Sequence, residues 1–310
     1  MSNFWVVGVF FNPAKYQSLH RNYIDFAKNL KKQNVNLMTV ELAFGDDEFT
    51  LPHIHGEIRR LRSNSVMWQK ERLINYGVSQ LPPECDKFAW VDCDIIFPDG
   101  WEEAANKLLD ENDIIQLFKK VIHLPPNQTE YVGQKTSMMQ GVVWQARIHK
   151  YWLERRKQKL LPFSAPGFAW AARREVFSDI GIYDKNIVGS GDTFLVDCYL
   201  NSWEIHGYAV KFTDYMKIDM GEWKAKLDAK KIALDYLPID ICHLFHGSMK
   251  NRKYMDRHET ILLNNYDPKT DIRLINDVFE WSTDKYNMHE DVKGYFFGRN
   301  EDEFYQEGIQ

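Results

Sequence analysis

Asp92 and Asp94 lie two residues apart between apolar runs, Phe88-Ala89-Trp90-Val91 before and Ile95-Ile96-Phe97 after. Strand side chains alternate with period two. This spacing therefore predicts both carboxylates on one face, with Cys93 turned the other way into the core. Two carboxylates that close repel, and neither stays ionised cheaply in a dry site without a cation. A hard divalent cation removes the conflict, and oxygen ligands suit Mg²⁺ or Mn²⁺. Such an ion can bridge to a diphosphate and neutralise the charge that builds on a departing phosphate group. A bare Asp-x-Asp is common by chance; the apolar flanks are what single this one out.

A second constellation begins at Gly167-Phe168-Ala169-Trp170-Ala171-Ala172, a strand of small and aromatic residues running into a helix at Arg174. A glycine there permits close approach to the backbone. Twenty-five residues on comes Asp192, within Gly189-Ser190-Gly191-Asp192, at a loop-to-helix start. It can cap the helix that follows, or act as a general base toward a hydroxyl; the two roles are compatible. The third element is His243-Leu244-Phe245-His246-Gly247-Ser248. His246, just before a glycine at a predicted strand end, can add a nitrogen to the two carboxylates. Arg252, Lys253 and Arg257 can pair with diphosphate oxygens, or simply form a solvated helix face.

For these residues to meet, they must sit at strand ends. Residues 5–11 form a short aromatic and β-branched run ending at Asn12-Pro13, as a buried parallel strand does. Residues 17–32 carry Leu19, Tyr23, Phe26 and Leu30 at helical spacing and end in lysines. A strand is predicted over 36–42, then a helix over 66–79 with Val66, Leu73, Ile74 and Tyr76 as core positions. After Pro82-Pro83 come a strand over 88–97, a helix over 101–109 and a strand over 114–118. Residues 123–140 read as a loop and 147–159 as a basic helix. Strands over 167–172 and 239–245 and helices over 174–180, 192–203 and near 252–264 complete the pattern. The alternation predicts an α/β fold, a mostly parallel central sheet flanked by helices. Ligands of such sheets sit beyond the carboxyl ends of the strands, where Asn12 and the aspartate pair fall. One catalytic domain over 1–288 is expected, followed by a polar tail over 289–310.

The 310 residues carry a net charge of −5, which excludes a generic polyanion binder. Cys85, Cys93, Cys198 and Cys242 show no CxxC spacing, so neither a zinc site nor a disulfide framework is expected. The apolar run over 5–11 has no basic stretch before it and is far too short to span a bilayer. A cytoplasmic enzyme in a reducing compartment is the expectation.

Taken in order, the first strand, Asp92-Cys93-Asp94, the Gly167-Phe168-Ala169-Trp170 strand, Gly191-Asp192 and His246-Gly247 resemble the GT-A (Rossmann-like) class of glycosyltransferases. The resemblance is to inverting family 2 enzymes and, in the later half, to beta-1,4-galactosyltransferases. It covers residues 4–258. It implies a metal-dependent transfer, with inversion, from a nucleoside-diphosphate sugar, UDP-linked, to an acceptor hydroxyl, with Mn²⁺ or Mg²⁺ as cofactor. Asn12 and Glu41 would lie around base and ribose. Trp68-Gln69-Lys70-Glu71-Arg72-Leu73-Ile74-Asn75 matches the helix before the aspartate strand, with Lys70 and Asn75 toward the nucleotide and Gly167 and Trp170 also on the donor. Asp94 would ligate the metal, Asp92 would touch ribose or metal-bound water, and His246 would complete the shell. Asp192 matches the catalytic base. The family often has Glu-Asp where this chain has Gly191-Asp192, which leaves the acceptor-binding role of that acid without a residue.

The expected acceptor is a glycan or a hydroxylated base in DNA. Residues 147–159 hold Arg147, Lys150, Arg155, Arg156, Lys157 and Lys159 against Glu154, with Trp144, Tyr151 and Trp152 interleaved. That pattern fits either a solvated helix face or a patch that tracks phosphates beside an exposed or flipped base. Two other functions fit paired aspartates on an α/β sheet. A sugar nucleotidyltransferase wants a glycine-rich phosphate loop after the first strand, and Asn12-Pro13-Ala14-Lys15 is a poor version of one. A non-catalytic nucleotide-sugar-binding module needs none.

Overall fold

A computed structural model describes residues 3–162, 164–202, 211–253 and 256–304. The chain opens with β1 (Phe4–Phe11), α1 (Gln17–Lys32), β2 (Asn36–Phe44), β3 (Glu57–Ser63), α2 (Lys70–Ser79), β4 (Lys87–Asp92) and β5 (Ile95–Ile96). It continues through α3 (Trp101–Leu108), β6 (Ile114–Gln116), β7 (Lys120–His123), β8 (Met138–Gly141), α4 (Val142–Ile148), α5 (Trp152–Lys157), β9 (Ser164–Ala165) and β10 (Ala169–Arg173). The later part holds α6 (Arg174–Phe177), α7 (Gly191–Tyr199), α8 (Asp214–Asp228), β11 (Leu234–Tyr236), β12 (Asp240–His243), α9 (Glu259–Leu263), β13 (Ile272–Ile275), β14 (Val278–Trp281) and α10 (Tyr286–Phe297).

The main sheet has the order β11-β6-β10-β4-β1-β2-β3. All of its pairings are parallel except those of β10, which runs against both β4 and β6. This is the mostly parallel sheet flanked by helices that the alternation predicts. The two faces of β1 show why: Val6 packs toward Tyr23, Phe26 and Leu30 of α1, while Val7 packs toward Ile74 of α2 with Trp90 and Trp170. Both faces are covered, so the strand reads as a continuous apolar run. A second sheet, β5-β12-β7-β8-β9, crosses the carboxyl end of β4 and brings β12 beside β5.

Several predicted elements differ in instructive ways. The strand over 88–97 is broken by a turn at Cys93 and Asp94, and its halves join different sheets. The basic helix over 147–159 is two short helices, interrupted where Tyr151 adopts a left-handed φ of 57°. Arg147 is drawn to Asp235 and Arg156 to the Pro162 carbonyl, so the basic residues do not form one continuous face. The edge strand β3 carries Arg59, Arg60 and Arg62; such charge blunts a sheet edge against further pairing and hides the strand from a hydrophobicity pattern. Residues 289–304 are not a polar tail. Helix α10 starts before that boundary and buries Met288, Val292 and Phe296 in a third core with α8, α9 and the β13–β14 hairpin. No helix among the described residues is long and apolar enough to cross a membrane.

Candidate active site

The turn that breaks the predicted strand carries Asp94 off the sheet and against the end of β12, where Leu244 N–H donates to the Asp94 carbonyl at 2.8 Å. There the side chains of Asp94, His243 and His246 bring one ligand atom each to within 4.8 Å of one another. His246 Nε2 is 2.9 Å and His243 Nε2 3.6 Å from Asp94 Oδ2. The two Nε2 atoms are 3.1 Å apart. Each imidazole is held from behind through Nδ1: His243 by His123 Nδ1 at 3.1 Å, and His246 by Glu301 Oε2 at 2.9 Å. Asp94 Oδ1 is buried with no hydrogen-bond partner. Buried polar atoms are nearly always satisfied, and a divalent cation beside Asp94 would satisfy this one. Burial opposes ionisation of Asp94, yet the charges and hydrogen bonds of His243 and His246 hold it well below the usual carboxylate range. Burial, with His243 and Arg252 close by, pushes His123 down to about 4.

Asp92 does not join this triad. Lys70, the first residue of α2, lies 2.6 Å from Asp92 Oδ1 and 2.9 Å from Asp192 Oδ2. Its side chain is 9% exposed. The aspartate pair thus divides: Asp94 turns to the histidines, and Asp92 stays at the strand end with the lysine. Burial disfavours charge on Lys70, but Asp192, Asp92 and Glu71 together raise its pKa above the ordinary lysine value. Burial, opposed by Lys70 and reinforced by Asp192 and Asp94, pushes Asp92 up to about 6.

Asp192 sits in the first turn of α7, where an anion is favoured by the helix dipole. It is not the N-cap; Ser190 holds that place, with a left-handed φ of 73° and no side-chain capping bond. Gly167 leaves room for Asp192, since a Cβ there would lie 2.7 Å from Asp192 Oδ2. Beside it, the Phe168 carbonyl accepts from Asp92 N–H at 2.8 Å, which locks the two strand ends together.

Glu71 is a site residue that the sequence did not mark. It is 2% exposed. Trp68 Nε1–H donates to Oε2 at 3.0 Å, and Oε1 has no partner. Burial and then Asp192 push it up to about 8. A Cβ on Gly191 would stand 2.1 Å from Glu71 Oε1. The carboxyl missing from position 191 therefore has its volume filled by one from α2.

Other residues expected on the donor are committed elsewhere. Asn12 closes a turn with Tyr16, accepting from its N–H at 2.9 Å and donating to its carbonyl at 2.8 Å. Glu41 is buried and pins the loop after β2, accepting from Thr50 N–H at 2.6 Å and Leu51 N–H at 2.9 Å. Asn75 holds Ile182 through both its N–H and its carbonyl. Trp170 is buried, stacks on Trp90 at 6.3 Å and donates to the Pro166 carbonyl. Each of these four side chains is thus held by partners within the fold. Arg252 NH2 lies against the His246 ring, 2.9 Å from Nε2. Arg257 donates to Tyr295 Oη at 2.8 Å and also to Ser190 Oγ, tying down the loop that presents Asp192. Lys253 is exposed at the end of a short 3-10 turn over Met249–Arg252. His243, three residues before His246, was legible as a spacing but not as a ligand.

No protein-family model and no curated protein sequence matches the chain. Among solved structures it is similar to residues 1–349 of S. aureus TarS, with a TM-score of 0.41 and 11% identity, over 99% of this chain and 75% of that one. It is similar to the catalytic domain of Drosophila beta-1,4-galactosyltransferase 7 bound to xylobiose, with a TM-score of 0.32 and 10% identity, over 75% of this chain and 63% of that one. It is also similar to 4-diphosphocytidyl-2C-methyl-D-erythritol synthase from Anaerococcus prevotii, with a TM-score of 0.34 and 9% identity, over 76% of this chain and 86% of that one. The chain therefore spans under two thirds of the galactosyltransferase catalytic domain, and at these scores no activity is carried across.

Proposed function

We propose that the protein is a metal-dependent glycosyltransferase that moves a sugar from a nucleoside-diphosphate donor, UDP-linked, to an acceptor hydroxyl. The observation that carries this reading is the meeting of two clusters beyond the carboxyl end of β4. One is a cation-shaped triad, Asp94, His243 and His246, with an orphaned carboxylate oxygen. The other is Lys70 with the carboxylates Asp92 and Asp192.

Asp94, His243 and His246 would hold the ion. Two imidazole nitrogens with one carboxylate favour Mn²⁺ or a later transition ion over Mg²⁺. A divalent cation supplies Lewis-acid stabilisation of the departing diphosphate. Arg252, beside the triad, is the side chain best placed to add positive charge to the same leaving group. Asp192, hydrogen-bonded to Lys70, takes the proton of the acceptor hydroxyl. The acceptor oxygen then forms its bond to the anomeric carbon as the bond to the diphosphate oxygen breaks. A single displacement of this kind inverts the anomeric configuration. The divided basic segment argues for a glycan hydroxyl over DNA as acceptor.

The test is a panel of nucleotide sugars with and without Mn²⁺, read by donor hydrolysis and by transfer to glycan acceptors. Mn²⁺-dependent release of nucleoside diphosphate is expected. Release of pyrophosphate from a sugar phosphate and a nucleoside triphosphate would instead establish a nucleotidyltransferase. Donor binding with neither reaction under any metal would reduce the protein to a binding module.

A further inference from the structure

The stretch after α10 returns to the triad and delivers a carboxylate to it. Glu301 is 1% exposed, and its Oε2 lies 2.9 Å from His246 Nδ1. We propose that Glu301 is a positioning residue of the cation site, holding His246 as the tautomer that keeps hydrogen on Nδ1 and turns the Nε2 lone pair toward Asp94 and His243. This inference rests on the metal reading above.

The chemistry of the partners fixes the direction of the bond. A carboxylate only accepts, so Nδ1, facing Glu301, carries a hydrogen; Asp94 Oδ2, 2.9 Å from Nε2, draws a hydrogen there as well until a cation takes its place between them. The Arg252 NH2 nitrogen lies over the same ring, 2.8 Å from Nδ1 and 2.9 Å from Nε2; with Nδ1 donating to Glu301 and Nε2 kept for the cation, the acceptor left to Arg252 at this residue is the His246 carbonyl at 3.3 Å. Glu301 is itself fixed, because Arg299 Nε pairs with its other oxygen. Carboxylates behind metal-binding histidines orient the ring and raise its basicity.

The backbone around Glu301 is anchored on both sides. Asp302 accepts from Gln17 N–H at 2.7 Å and Ser18 N–H at 2.8 Å, at the start of α1. Asn300 N–H donates to Tyr16 Oη at 2.9 Å. Asn251 donates to Glu303 at 2.8 Å. The segment also presses directly on the histidine loop. Gly247, next to His246, has a φ of +83°, and a Cβ there would lie 2.8 Å from Glu301 Cα. Only a glycine leaves room for Glu301 to reach the ring.

The experiment measures Mn²⁺ binding to the full chain by titration calorimetry and electron spin resonance, alongside ¹⁵N spectra of the histidine rings. Glu301→Ala is expected to weaken Mn²⁺ binding about 10- to 100-fold. Glu301→Gln, which still accepts from Nδ1, recovers part of the loss. Glu303→Ala, on the same segment but off the ring, leaves affinity unchanged. In the wild type His246 shows hydrogen on Nδ1 and a bare, metal-bound Nε2. Equal weakening by Glu303→Ala makes the role one of general folding and overturns the proposal. So does hydrogen on Nε2 in the metal-bound wild type, a measurement that needs no variant to fold. A wild type that binds Mn²⁺ while Glu301→Ala binds it as well overturns the proposal alone. A wild type that binds no divalent cation overturns the metal reading with it.

Discussion

The Lys70 ammonium lies 2.9 Å from the Asp192 carboxylate while holding Asp92 at 2.6 Å on its other side. One lysine thus joins the candidate base to the strand that leads into the candidate metal triad. Without it, Asp92 and Asp192 would face each other as like charges beside the buried Glu71. Lys70→Met should cost on the order of 3 kcal/mol in urea denaturation, the usual scale for removing one partner of a buried pair. A loss below about 1 kcal/mol would mean that water already screens the cluster.

Asp192→Asn keeps the shape of the side chain and removes its basicity. Donor affinity by calorimetry should stay within a few-fold of wild type. Transfer should fall by about 10²–10⁴, the range of general-base contributions. Unchanged transfer would take Asp192 out of the chemistry.

The triad predicts that Asp94→Ala and His243→Ala each abolish measurable Mn²⁺ binding and slow donor turnover by ~10²-fold or more. Asp92→Asn, outside the triad, should keep Mn²⁺ binding. If Asp92→Asn lost the ion while His243→Ala kept it, the division of the aspartate pair would be wrong.

Glu71 predicts a pH dependence of stability. Its pKa in the folded protein is pushed up to about 8 from 4.5, by burial and by Asp192. Between those values the folded protein keeps a proton that the unfolded chain releases. Stability should therefore fall as pH rises across that window, by up to about 1.4 kcal/mol per pH unit for this group, and level off above it. Below the window both states are protonated and the effect vanishes. Urea midpoints from pH 4.5 to 8 should show a shallower decline in Glu71→Gln. Identical slopes would show that Glu71 ionises without penalty.

Gly191→Ala should damage the same place from the other side. The added methyl meets the Glu71 carboxyl from Oε1 to Cγ, at 2.1–2.8 Å, so the whole buried group must move. A loss of about 1–3 kcal/mol is expected, and much less in a Glu71→Ala background. Additive losses in the double variant would separate the two residues.

Apolar runs and helical spacing sufficed for the strands and helices through β6 other than β3 and β5, and for the sheet's mostly parallel character; residue type and position marked Asp94, Asp192 and His246, and the family resemblance added Lys70. These are local properties: apolar runs of strand length, helical spacing, and polar residues placed where such runs end. The antiparallel course of β10 was not local, because a strand's own pattern is the same in either direction. Nor was the parting of Asp92 from Asp94. A turn at Cys93 replaces the alternation that would have kept them on one face, and β12, far along the chain, draws Asp94 to its histidines. Glu41 and Asn75 were named through the family resemblance, and the loop and core partners that hold them and Trp170 were visible only once the chain was folded. Glu71 and Glu301 carried no signal at all. Each matters only through a residue more than fifty positions away, Gly191 for the first and His246 for the second, and pairing across that distance is created by packing.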